Sequence, residues 1–121
     1  MNQEKNDHNC AVVVPSCDSY EDSWLPFFSF FFKYWPDCPF SVYLITGEKI
    51  FPDNRVKTIA LGVDNGWANN MKVVLESIKA KYFLYFLEDV FLTKKVDTKR
   101  ILALLEVVKN NHISCLRLHP S

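Results

Sequence analysis

Residues 82–89 read Tyr82-Phe83-Leu84-Tyr85-Phe86-Leu87-Glu88-Asp89, an apolar run that leads directly into two carboxylates. A short apolar run bounded by polar residues is typical of a strand that is buried on both faces. Such strands belong to parallel sheets covered by helices. Ligands bind such sheets outside the carboxyl ends of the strands, so Glu88 and Asp89 are candidates for an acidic site that holds a divalent cation. The alternative is an acidic pair that only begins a loop.

Patterns on either side of this run predict an α/β domain. The β-branched run Ala11–Val14 predicts a first strand that ends at a Pro15-Ser16 turn. Further strands are predicted at residues 41–46, 56–61 and 114–118. Three helices are also predicted. The first runs from a cap at Asp22 or Ser23 to Lys33 or Tyr34, the second covers residues 71–78, and the third runs from a cap at Asp97 or Thr98 to Asn110. This order is typical of a mostly parallel sheet flanked by helices. We expect the first and fourth strands to be central, because they are the most uniformly apolar.

The composition is that of one neutral globular domain. The chain has 121 residues, 49% of them hydrophobic, and its 14 Lys plus Arg balance its 14 Asp plus Glu. This balance argues against nucleic acid or an acidic membrane as a partner. Four cysteines without a Cys-x-x-Cys pair, and no apolar run of membrane-spanning length, predict reduced thiols and a cytoplasmic location, with peripheral attachment to the inner face of the membrane as an alternative. We expect residues 1–10 to be a disordered tail and residues 11–121 to form a single α/β domain.

Residues 24–35 predict a helix that is apolar around most of its circumference, with Lys33 as its only cation. A helix of this kind is buried on more than one side, or contacts a membrane or a partner. A helix that lies in a membrane interface normally has a basic polar face, which this one lacks, so we favour burial. We therefore expect it to lie between the sheet and a further body, either a second copy of the chain in a homo-oligomer or a C-terminal half that packs on residues 24–35.

Three segments in order carry a family resemblance. They read Val12-Val13-Val14-Pro15-Ser16-Cys17, then Asn65-Gly66-Trp67-Ala68-Asn69-Asn70-Met71-Lys72, then the apolar strand that ends in Glu88-Asp89. Together they resemble the donor-nucleotide half of GT-A glycosyltransferases, in particular bacterial-type, family-2-like enzymes that make surface polysaccharides. The resemblance implies a GT-A-like, Rossmann-like fold that binds a nucleotide-diphospho-sugar donor and transfers its sugar to a glycan acceptor.

The resemblance also implies particular site residues. In the family an acidic motif holds Mg²⁺ or Mn²⁺ on the diphosphate, which makes Asp89 the metal ligand and Glu88 the contact to the ribose. The other implied nucleotide-binding residues are Pro15, Ser16, Asp18, Glu48, Asn65, Trp67 and Lys72. The family's Asp-x-Asp reads Glu88-Asp89-Val90 here, so the metal role depends on Asp89 alone.

The family places its acceptor-binding part and general base after the donor half. The resemblance therefore implies an incomplete GT-A domain whose catalytic base lies beyond Ser121. The alternative function is a catalytically inactive module that binds a nucleotide-sugar or a protein partner.

Several site residues also have ordinary structural explanations. Trp67 either stacks on a ligand ring or packs a loop onto the core. Lys72 either faces the nucleotide or pairs with Glu76 on the helix surface. Asp18 either contacts the ligand or caps a turn. His119 is a further candidate ligand if it reaches the same sheet edge as the acidic pair.

Overall fold

The computed structural model describes residues 9–62, 72–74, 76–78, 80–87 and 91–111. Its strands are β1 (Cys10–Pro15), β2 (Ser41–Thr46), β3 (Val56–Ala60) and β4 (Tyr82–Tyr85). A short 3-10 turn, Asp18–Tyr20, leads into helix α1 (Glu21–Tyr34), and a second long helix, α2, spans Thr98–Asn110. Residues 72–74 and 76–77 are also helical.

The four strands form one parallel sheet in the order β3-β2-β1-β4. The predicted parallel α/β architecture and the central place of β1 are therefore confirmed. Among the four described strands β3 and β4 are the outer ones, and the side chains of β4 are half-buried or exposed. The predicted strand at residues 114–118 lies outside the described residues.

Helices cover both faces of the sheet because strand side chains alternate between the faces. Val12, Val14 and Leu44 point to the face that carries α1 and α2. Ala11 and Val13 point to the other face, where Val74 and Ile78 of the segment 72–78 pack against them. The sheet is thus the middle layer of three.

The aromatic helix α1 supplies most of the core on its face. Trp24, Phe27, Phe28 and Phe31 are fully buried. The side of α1 that turns away from the sheet is partly covered by the chain itself, since the Phe91 ring stacks on the Phe30 ring at 5.6 Å. These contacts bury part of the side of α1 that faces away from the sheet, where the sequence pattern predicts packing against a further body.

The start of α1 differs from the prediction, whereas its end does not. Asp22 and Ser23, the predicted caps, lie inside the first turn, and no side chain caps the helix at Tyr20. Pro26 consequently falls in the second turn, where it removes a backbone hydrogen bond. The helix persists because burial of its aromatic side chains outweighs that loss.

Helix α2 is fixed to the end of α1 by polar contacts. The Val96 amide donates to the Tyr34 carbonyl at 2.8 Å, and the Trp35 indole donates to the Thr98 hydroxyl at 2.8 Å. The Asp97 carboxylate accepts from the Arg100 amide, so the predicted cap at Asp97 is confirmed.

Among the described cysteines, Cys10 and Cys38 are buried free thiols and Cys17 is an exposed one. Cys10 opens β1, one residue before the predicted start of the domain, and the Asn9 carbonyl already accepts from the Tyr82 amide. Across the part of the chain that the structure describes, no helix combines the length and the apolar character needed to cross a bilayer.

Candidate functional site at the carboxyl edge of the sheet

The strand order creates a switch point between β1 and β4. From β1 the chain moves to β2 and β3 on one side, and β4 then lies on the other side of β1. In parallel sheets a crevice opens outside the carboxyl ends of the two strands at which the order reverses. We therefore expect the residues that leave β1 and β4 to border such a crevice.

The exit of β1 is held in place by the core beneath it. Pro15 ends the strand opposite Ile45 of β2, and the Ser16 amide donates to the Ile45 carbonyl at 2.9 Å. The Ser16 hydroxyl accepts a hydrogen bond of 2.9 Å from the indole of buried Trp24. The Trp24 indole thus fixes the rotamer of Ser16 at the exit of β1.

Asp18 joins the exit of β1 to the exit of β2. Its carboxylate accepts hydrogen bonds from three successive backbone amides, those of Gly47 at 3.1 Å, Glu48 at 2.9 Å and Lys49 at 3.2 Å. Successive amides that converge in this way form a backbone nest, which is a preferred site for an anion. We call this contact the Asp18 latch.

The latch explains the acidity of Asp18. Partial desolvation raises the pKa of its carboxyl group, but the hydrogen bonds from Lys49, Glu48 and Gly47 and the charge of Lys49 together outweigh it and lower the pKa. The residue is therefore an anion at neutral pH. Both of its oxygens already accept bonds from the protein, so its role here is to position the two exits.

The loop after β2 carries further polar groups. The Lys49 ammonium forms an ion pair of 2.6 Å with Glu21, and the hydrogen bond and charge of Glu21 raise the pKa of Lys49. The Thr46 hydroxyl donates to the Lys49 carbonyl at 2.7 Å, which closes the loop. The Glu48 side chain is exposed, while its amide belongs to the latch.

The exit of β4 runs beside that of β1. Val13 is in register with Tyr85, and the Phe86 amide donates to the Val13 carbonyl at 3.0 Å, one residue beyond the end of β4. Burial raises the pKa of the Tyr85 phenol, which stays protonated at neutral pH. Leu87 is 60% exposed and immediately precedes Glu88 in the sequence.

The structure thus brings together the predicted residues Pro15, Ser16, Asp18 and Glu48. Lys72 is exposed and belongs to the helical residues on the other face of the sheet. Four predicted site residues and the predicted ligand His119 lie outside the described residues: Asn65, Trp67, Glu88, Asp89 and His119.

Sequence reasoning missed Trp24, Gly47 and Lys49 as parts of this edge. A Thr-Gly pair after an apolar strand was the one available signal, because glycine there leaves room for another group. A Cβ on Gly47 would come within 3.1 Å of the Asp18 carboxylate. The group that fills the space beside Gly47 is the Asp18 carboxylate, which lies 29 positions earlier in the chain, so the local sequence does not identify it.

No group of three or more His, Cys, Asp or Glu side chains that could hold a metal ion occurs among the described residues. The predicted metal ligand, Asp89, is not one of them. Comparison of the chain with family models, curated proteins and solved structures found no match.

Proposed function

We propose that this chain binds a nucleotide-diphospho-sugar in the crevice between the exits of β1 and β4, as the donor-binding part of a GT-A-like glycosyltransferase. The observation that carries the proposal is the parallel order β3-β2-β1-β4. This order is the one found in nucleotide-binding halves of doubly wound α/β folds, which bind their ligand at the switch point.

The rigidity of the β1 exit supports this proposal. Three separate contacts hold it, namely the Ser16–Ile45 backbone bond, the bond from Trp24 to the Ser16 hydroxyl, and the Asp18 latch. A binding edge that is already ordered loses little conformational entropy when a ligand arrives. We assign contacts with the nucleoside to the exits of β1 and β2.

The acidic pair that follows β4 in the sequence supplies the remaining chemistry. In the proposal, Asp89 binds a divalent cation that also contacts the diphosphate, and Glu88 hydrogen-bonds the ribose. When bound, such a cation offsets the negative charge that develops on a leaving nucleoside diphosphate. The general base of a transfer reaction stays unassigned.

Titration calorimetry with a uridine- or thymidine-diphosphate sugar tests the proposal. We expect binding in Mn²⁺ or Mg²⁺ and none after chelation. Asp89→Ala should weaken the Kd by at least about tenfold, equivalent to about 1.4 kcal/mol. Asp37→Ala is the matched control, because Asp37 contacts the start of α2 at the opposite edge of the sheet and should leave the Kd unchanged. Equal affinities for wild type and Asp89→Ala would discard the metal role.

A second candidate function is a non-catalytic binding module. It is favoured by the latch, because Asp18 is engaged by the protein's own backbone where a donor contact was expected. Sugar-nucleotide hydrolysis and transfer assays distinguish the two functions. Donor binding without turnover favours the module, whereas release of nucleoside diphosphate favours the enzyme.

A further inference from the structure

The segment around the start of α2 is basic within a neutral chain. Residues 91–111 contain five cations and two carboxylates, although the whole chain has a net charge of +0. Four of the cations fall within residues 94–100, namely Lys94, Lys95, Lys99 and Arg100, and all four are exposed. The positive charge is therefore concentrated on one short stretch of surface.

Two described carboxylates near these cations, Asp37 and Asp97, accept hydrogen bonds at the start of α2. Asp97 accepts from the Arg100 amide at 3.3 Å as the cap of α2, and Asp37 accepts from the hydroxyl at the start of that helix at 2.9 Å. The described residues form three ion pairs, Lys49–Glu21, Arg55–Asp53 and Lys109–Glu106. In the described part of the chain, Lys95, Lys99 and Arg100 belong to none of these pairs.

Lys99 and Arg100 also occupy unfavourable positions for the helix. They lie in the first turn of α2, which carries no acidic residue. The amino end of a helix has a partial positive charge, so each cation there costs stability where an acid would add it. Residues that oppose a local folding rule are expected where they serve another function. The helix dipole and the two side chains together strengthen the attraction for an anion.

Aromatic rings lie along α1 next to Lys33, and this strip meets the basic segment at Val96. The Phe30 ring stacks on Phe91 at 5.6 Å and on Tyr34 at 6.3 Å, and the Lys33 ammonium lies 5.2 Å from the centre of the Tyr34 ring. Phe30 is 36% exposed and Phe91 is 37% exposed. The bond from the Val96 amide to the Tyr34 carbonyl fixes this strip against the basic segment.

We infer that this basic–aromatic face, made of Phe30, Lys33, Phe91, Lys95, Lys99 and Arg100, binds the surface of a bilayer that contains anionic phospholipids. Lysine and arginine near such a surface are attracted by its negative potential. Aromatic side chains that are partly buried in the protein and partly exposed favour the headgroup region of a bilayer. A free phosphate ion would satisfy the cations but leave the exposed edges of Phe30 and Phe91 in water.

This inference does not depend on the proposed function. The start of α2 lies next to Trp35 and Asp37, which precede β2 at the amino edge of the sheet. The donor site is proposed at the carboxyl edge. The cations around the start of α2 and the proposed donor site therefore lie at opposite edges of the sheet.

The test is co-sedimentation of the full chain with vesicles of phosphatidylcholine, with and without phosphatidylglycerol. We expect binding only when phosphatidylglycerol is present, and weaker binding at high salt because salt screens the attraction. The variant Lys99→Glu/Arg100→Glu should bind the vesicles at least about 30-fold more weakly, because the loss of each cation near an anionic surface weakens binding by about fivefold. The matched control, Lys57→Glu/Lys72→Glu, makes the same change of charge at exposed sites on the other face of the sheet, and should bind like wild type.

Weaker vesicle binding by Lys99→Glu/Arg100→Glu would not be due to unfolding of the variant. A glutamate at position 100 would form a capping box with Asp97, and both substitutions complement the helix dipole, so the Tm of Lys99→Glu/Arg100→Glu should not fall. Equal weakening in the control variant, or no binding to phosphatidylglycerol vesicles, would overturn the inference. Binding to single-stranded RNA in place of the vesicles, lost in the same variant, would reassign the face to nucleic acid and overturn it as well.

Discussion

The Asp18 carboxylate accepts hydrogen bonds from backbone amides that lie 29 to 31 residues further along the chain. Because the folded protein lowers the pKa of Asp18 below its ordinary value of 3.8, the charged form stabilises the fold. That contribution is present above pH 3.8 and is lost as the pH falls through the folded-state pKa. We expect Asp18→Asn to lower the free energy of unfolding at neutral pH, and the difference from wild type to shrink in acid. Urea denaturation at several pH values measures both effects.

Two variants control this measurement. Glu76→Gln removes an exposed carboxylate from the other face of the sheet, away from the latch, and should leave the free energy of unfolding at neutral pH close to that of wild type. Gly47→Ala places a methyl group within 3.1 Å of the Asp18 carboxylate and should weaken the same latch. If the latch is real, Gly47→Ala costs less stability in an Asp18→Ala background than in wild type. Additive losses would contradict it.

At the scale of the elements, helix α1 stabilises the molecule through its buried side. Phe31 is 0% exposed and its ring contacts Phe28, Trp35 and Phe86. Phe31→Ala should lower the free energy of unfolding by about 3–5 kcal/mol through lost burial and a cavity. Phe30→Ala, one position away on the exposed side, should cost about 1 kcal/mol, mainly its stacking on Phe91. Similar losses for the two variants, measured by urea denaturation, would contradict the observed orientation of the helix.

Element boundaries followed from the sequence wherever local chemistry decides them. Strand β2 spans Ser41–Thr46 as predicted, and α1 ends at Tyr34, two residues before Pro36. The start of α1 was predicted wrongly, because a local capping rule was applied to Asp22 and Ser23. The helix instead begins behind a 3-10 turn whose first residue, Asp18, accepts hydrogen bonds from the loop that follows β2. A contact between residues so far apart in the chain cannot be predicted from the local sequence.

At the scale of the whole molecule, the sequence predicted the α/β class and the central place of β1. Among the four described strands β4 is an outer one, and the predicted strand at residues 114–118 lies outside the described residues. Uniform apolarity was interpreted as burial on both faces, whereas the aromatic rings of β4 are only partly covered and Tyr85 is 51% exposed. The edge at which the site is proposed follows from parallel pairing and was predictable. The amide nest and the bond from Trp24 to Ser16 were not, since both depend on tertiary packing.

The central claim, a donor site at the carboxyl edge between β1 and β4, can be tested by NMR with Mn²⁺ as a paramagnetic probe. In the presence of a uridine-diphosphate sugar, Mn²⁺ should selectively broaden the amide signals of Ser16, Cys17, Phe86 and Leu87. The signals of Asn9 and Lys81, which lie at the opposite edge beside the start of β4, should stay sharp. Selective broadening of Asn9 and Lys81, or broadening that does not require the nucleotide-sugar, would contradict the account.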